Sequence, residues 1–167
     1  MLSVVWFIFA AIMIAAAIID LISYRIPNTL VLTLLGLFLV VAASNWNDVE
    51  WLAHIAAGIL VFGAGIFLYA IRQMGAGDVK LLGVVALWAG VFSLPPLLFF
   101  VALSGLLGML VILALRLIAP RLQPSGGSGQ RTLLRVLTKG QGIPYAIGIG
   151  PGTIIASFSF APWLWSF

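Results

Sequence analysis

Cysteine is missing from all 167 residues. Disulfides, thiolate zinc sites and a cysteine nucleophile are thereby excluded. A single histidine, His54, rules out a histidine-rich metal site. Charge is scarce as well: 7% of residues are charged and 63% are hydrophobic, with a mean hydropathy of +1.25. So few polar groups cannot cover a soluble domain, and lipid must solvate most of these side chains. The acids are fewest of all: Asp20, Asp48, Glu50 and Asp78. The net charge of +4 reads as a record of membrane topology. No nucleic-acid partner is expected; the bilayer itself is the expected surrounding.

What is present is a series of apolar runs, over residues 3–22, 28–44, 51–71, 77–93, 95–118 and 143–165. Lipid offers backbone groups no hydrogen bonds, so helices are expected. The runs lack the alternating polar residues of a closed barrel. The fold class is an all-α integral membrane bundle of about six transmembrane helices, forming a single domain over residues 1–167. The basic residues support the count. Arg25 follows the first run, and Arg72 and Lys80 bracket the third junction. Arg116, Arg121, Arg131, Arg135 and Lys139 lie at or beyond the fifth run. In a six-span arrangement all of them fall on one side, which the positive-inside rule makes cytoplasmic. Both termini are then non-cytoplasmic. The first run has no basic n-region and is long, so it is expected to be a retained helix rather than a cleaved signal. Residues 119–142 read as a basic cytoplasmic loop, with a Gly/Ser linker and a short amphipathic helix over 131–139. Nothing in the sequence sets an oligomeric state.

Two of the four acids stand where a charge is costly. Asp20 lies before Arg25 by about 7.5 Å of helix, at ~1.5 Å per residue. Asp78 begins the fourth run, in "QMGAGDVKLLG". Both fall at a similar shallow depth on the cytoplasmic side, on different helices. An ionisable group inside a span is a functional candidate, and its partner must be sought; here each acid is a candidate partner for the other. Two carboxyl groups within ~3–5 Å cannot both ionise easily and share a proton. Such a pair polarises water with one member and protonates a carbonyl with the other. It needs no metal and no cofactor. Gly75 and Gly77 permit close approach of a second backbone or an extended peptide. Lys80, two residues on, faces away from Asp78 on a helix and is expected at the interface or against an acidic group of a substrate. From charge placement alone three readings stand: a catalytic pair, a proton- or cation-coupled transporter, or structural roles. Asp48 and Glu50 read as solvated loop acids and His54 as a satisfied helix-face residue near the outer leaflet.

"GAGDVKLLG" resembles the G-x-G-D-x-K-L signature of type IV prepilin leader peptidases, within the wider GxGD class of membrane aspartic proteases. "DLISYRIPN" is similar to the other half of that signature, an Asp ending the first helix before a basic residue and Ile-Pro-Asn. "GIPYAIGIGPG" resembles the Pro-Tyr element opening the last helix, with Ala146 where glycine is usual. The resemblance implies that Asp20 and Asp78 are the catalytic aspartates. It also implies that Pro27 and Asn28 turn the chain into the second helix and that Tyr145 helps shape the site. The paired, zinc-binding cysteines of larger bifunctional relatives are missing, so no N-methyltransferase half is expected. The short form is similar to the peptidases of tight-adherence (Flp-type) pilus systems, with archaeal preflagellin peptidases as near relatives. The implied substrate is a prepilin or prepilin-like protein with a hydrophobic N-terminal helix. Its leader would be cut at the cytoplasmic face of the inner membrane, with Lys80 or Arg25 meeting an acidic residue of the mature protein.

Overall fold

The computed structural model describes residues 4–118 and 145–160. The expected cytoplasmic loop over 119–142 and the end of the sixth apolar run lie outside the described residues. Six α-helices are present among the described residues, and no strand: α1 (Val4–Ser23), α2 (Asn28–Ser44), α3 (Trp51–Ala70), α4 (Ala76–Ala89), α5 (Leu94–Ile118) and α6 (Ala146–Ala156).

The first three apolar runs become helices with nearly the expected ends. The fourth and sixth do not. α4 has 14 residues and α6 has 11. At ~1.5 Å per residue these are about 21 and 16 Å long, short of a hydrocarbon core of ~30 Å. Among the described residues, three segments are long and apolar enough to cross a membrane: α1, α3 and Val91–Leu115. All six expected helices are present among the described residues.

The reasons for the short helices are local. Gly90 ends α4 at φ 70° and ψ 167°, a region almost closed to residues with a Cβ. A Cβ there would also sit 3.2 Å from the His54 ring. The chain continues through a 3-10 turn (Val91–Ser93) into α5. Pro95 and Pro96 fall in the first turn of α5, where missing N–H groups cost nothing. Pro151 stands inside α6, which passes into a 3-10 turn at Ser157–Ser159.

The helices pack as two groups of three. α6 is held between α1 and α5, and α4 between α2 and α3. The α5–α6 contact is close because both sides are small. A Cβ on Gly148 would lie 2.5 Å from the Gly105 Cα, and one on Gly152 2.5 Å from the Phe100 carbonyl oxygen. Ser104 Oγ adds a hydrogen bond to the Gly148 carbonyl at 2.6 Å. Without a hydrophobic drive between helices in lipid, such close packing and interhelical hydrogen bonds supply the association. In the other group side chains interdigitate: Val79 over Gly65, Phe62 over Gly83 and Leu87 over Gly58.

An aromatic cluster joins the groups. Trp88 of α4, fully buried, meets Phe9 of α1 at 4.9 Å and Phe38 of α2 at 5.6 Å between ring centroids. Its indole N–H donates to the Leu34 carbonyl at 3.1 Å. This cluster lies toward the end of the bundle where α4 finishes. The other end, where α1 finishes and α4 begins, holds Asp20 and Asp78.

Candidate active site

Asp20 sits in the last turn of α1 and Asp78 in the first turn of α4. Both are buried, at 5% and 7% exposure. Together they line one cavity of about 310 Å³. Tyr24, Arg25, Ile26, Asn28, Gly75, Ala76, Gly77 and Lys80 complete its wall. Residues separated by two whole helices, α2 and α3, are thus brought to one place, on the two segments that carry the sequence signatures.

The two carboxyl groups are held differently. Asp20 Oδ2 accepts a hydrogen bond from the Ala146 N–H at 3.2 Å. Ala146 is the first residue of α6, so Asp20 satisfies one of the orphan donors of that helix from another helix. Asp78 is part of its own helix N-terminus, as the third residue of α4. Its Oδ1 is buried without a hydrogen-bond partner. Each acid therefore stands at the start of a short helix, where the macrodipole favours negative charge.

The two glycines before Asp78 have separate duties. A Cβ on Gly75 would lie 2.7 Å from Asp78 Oδ2, so any side chain there displaces the carboxyl group. A Cβ on Gly77 would lie 3.1 Å from the Ile26 Cβ, so this glycine lets the α1–α2 link pass across the start of α4. A second backbone stretch comes close at Gly77, whereas at Gly75 the neighbour is the Asp78 carboxyl group.

Lys80 is exposed and lines the same cavity as Asp78. Its Nζ donates to Asn28 Oδ1 at 3.1 Å, tying α4 to the start of α2 across the cavity wall. Arg25 is exposed on the same wall. Pro27 and Tyr145 do not line the cavity. Pro27 is the N-cap of α2, extended at φ −62° and ψ 136°, and so fixes where Asn28 begins the helix. Tyr145 precedes α6 with its side chain exposed; its neighbour Ala146, fully buried, makes the contact with Asp20.

Sequence reasoning missed Tyr24. This residue lies within "DLISYRIPN", one turn after Asp20, and its backbone has φ 53°. Only the tertiary structure displays that conformation. The amide contact of Ala146 was also missed, although the Pro-Tyr element beside it was noted.

The remaining acids lie at the other end. Asp48 and Glu50 are exposed in the link between α2 and α3. With His54, Gly90, Ser93 and Phe160 they border a second cavity of about 320 Å³. His54 is buried, and its Nδ1 is 2.7 Å from the Leu87 carbonyl, so the histidine is satisfied by hydrogen bonding inside the bundle. No group of three or more metal-ligating side chains occurs among the described residues.

The site offers two carboxyl groups, one unpartnered oxygen, a small chamber and glycines at its rim, which is equipment for acid–base chemistry on a backbone-sized guest. The model of the type IV leader peptidase family matches residues 7–113, a stretch that contains both acids and every residue of this cavity. No curated protein matches the chain, and no solved structure does.

Proposed function

The chain belongs to the type IV leader peptidase family, and from that premise we propose that it is an aspartic endopeptidase using Asp20 and Asp78. Its substrates are prepilins or prepilin-like proteins carrying a hydrophobic N-terminal helix. One carboxylate takes a proton from water as the water oxygen bonds to the scissile carbonyl carbon. The other, neutral, carboxyl group gives its proton to the carbonyl oxygen. The resulting tetrahedral diol then collapses: the C–N bond breaks, the first carboxyl group protonates the leaving nitrogen, and a diol proton returns to the second. Both groups end as they began.

The observation that carries this reading is the shared cavity: two buried acids, far apart in sequence, one with an oxygen lacking any partner. Burial without a partner is costly, and water or a peptide group in the chamber would relieve it. The distribution of basic residues supports a cytoplasmic site in the inner membrane with both termini on the far side. The leader of such a substrate meets its membrane helix at that depth. Gly75 and Gly77 leave room for an extended strand once the carboxyl group moves. Lys80 is engaged with Asn28, so Arg25, exposed at the rim, is the better candidate to meet an acidic residue of the mature protein.

The test is co-expression with a prepilin and measurement of its size on a gel. Asp20→Asn and Asp78→Asn should each stop conversion while membrane insertion is unchanged. Normal processing by either variant refutes the pair.

A further inference from the structure

Each carboxyl group of the cavity receives one backbone N–H. Asp20 Oδ2 accepts from Ala146 at the start of α6, at 3.2 Å. Asp78 is turned back toward its own N-cap: the Gly75 N–H bonds to it, and a Cβ on Gly75 would meet its Oδ2 at 2.7 Å. Both acids also stand at a helix N-terminus, so the macrodipole does not separate them. In these respects the two are matched.

Their second oxygens are not. Asp78 Oδ1 is sealed inside the protein with no hydrogen-bond partner, and neither oxygen of Asp20 is in that state. An ionised carboxylate spreads its charge over both oxygens, and each is stabilised by donors or water. Ionised Asp78 would hold part of its charge at an atom that neither reaches. A neutral carboxyl group leaves no net charge there, and its burial costs far less.

The other polar groups around the cavity do not reverse this difference. Arg25 and Lys80 are exposed on the wall, and neither forms an ion pair with Asp20 or Asp78. The Lys80 ammonium is bonded to Asn28 instead. The Tyr24 hydroxyl is buried without a partner, so it donates to neither acid. Arg72, in the link from α3 to α4, and Tyr145, before α6, are exposed and stand outside the wall.

Two acids in one chamber cannot both be charged without cost, and such a pair shares a proton. Resting on the peptidase reading above, we infer that the shared proton belongs to Asp78 and that Asp20, held by the start of α6, is the ionised member. Asp20 is then the base that takes a proton from the attacking water. Asp78 is the acid that gives its proton to the scissile carbonyl oxygen. As the C–N bond breaks, Asp20 passes the water proton to the leaving nitrogen and Asp78 recovers a proton from the diol.

The chain has only three aspartates, Asp20, Asp48 and Asp78, so each can be read separately. The experiment uses the full chain in detergent with isotope-labelled aspartate carboxyl carbons. Their NMR signals are followed across pH and assigned with Asp20→Asn, Asp48→Asn and Asp78→Asn. At about pH 6 the Asp78 signal should lie at the position of a neutral acid, and those of Asp20 and Asp48 at the ionised position. Prepilin cleavage is measured over the same range. Activity should fall about tenfold per pH unit on the alkaline side as Asp78 loses its proton, and on the acidic side as Asp20 gains one. The assignment is overturned by a neutral Asp20 beside an ionised Asp78, by two acids in the same state, or by an activity limb that does not follow its expected signal. A reversed order of signals with both Asp20→Asn and Asp78→Asn inactive removes the assignment alone. Normal cleavage by either of those variants removes the acid pair, and the assignment with it.

Discussion

The two halves of the bundle are built alike and hold their acids in opposite ways. In each, a short helix lies between two longer ones: α6 between α1 and α5, α4 between α2 and α3. Each short helix directs its N-terminus to the same cavity. In the first half the acid belongs to the long helix, and Asp20 is tied down by the Ala146 amide of the short one. In the second the acid belongs to the short helix itself, and Asp78 keeps one oxygen unpartnered. One carboxyl group is anchored and the other is held in reserve. The difference lies in the contacts: Asp20 links α1 to α6, whereas Asp78 has no hydrogen bond at Oδ1.

The largest expected effects test that division directly. Asparagine at either position should reduce prepilin cleavage by about 10³-fold or more, since each removes one member of an acid–base pair. Alanine should separate them by stability. Asp20→Ala leaves the Ala146 N–H buried without an acceptor, for a loss of about 1–3 kcal/mol. Asp78→Ala removes an oxygen that had no partner and should change unfolding much less. Equal destabilisation by the two alanines, measured by thermal unfolding in detergent, would erase the distinction.

The next effect contrasts the packing of the halves. Gly152→Ala drives a Cβ into the Phe100 carbonyl and the Val101 Cα, at 2.5 and 2.6 Å. Backbone cannot rotate away, so α5 and α6 must separate, at a cost of about 1–3 kcal/mol. Gly65→Ala meets Val79 Cγ1 at 2.8 Å, a side-chain end that can turn aside. It should cost clearly less in the same unfolding measurement. A reversed order would mean that the α3–α4 contact, not α5–α6, is the rigid one.

Smaller again is the tie between Lys80 and Asn28. Lys80→Met and Asn28→Ala should each lower stability by about 1 kcal/mol or less, and the double variant should lose no more than either, because one hydrogen bond is shared. The smallest effect belongs to the acids at the far end. Asp48→Asn with Glu50→Gln should leave cleavage unchanged and stability within about 0.5 kcal/mol, as exposed substitutions usually do.

Much of this was legible in the residues. Uniform apolar runs force helices in lipid, and the first three had their ends marked by breaks such as "RIPN". The common end of Asp20 and Asp78 followed from their distances to Arg25 and Lys80, and both do line one cavity. The fourth run was already short before Pro95 and Pro96, but the ends of α4 at Gly90 and of α6 at Ala156 did not follow. Hydropathy continues through Gly90 and past Ala156, and only backbone angles and neighbours end those helices there. The left-handed conformation of Tyr24 and the bond from Ala146 to Asp20 involve partners that no local pattern names.

The sequence by itself determined the solvent, the helical class, the end of the bundle where charge collects, and the identity of the two buried acids. These depend on composition and on spacing along one chain, which lipid and helical geometry convert directly into position. The tertiary structure alone decided which acid accepts a bond from another helix and which keeps an unpartnered oxygen, and which glycine faces which neighbour. Those are contacts between segments remote in sequence, and their energies exist only once the helices have packed.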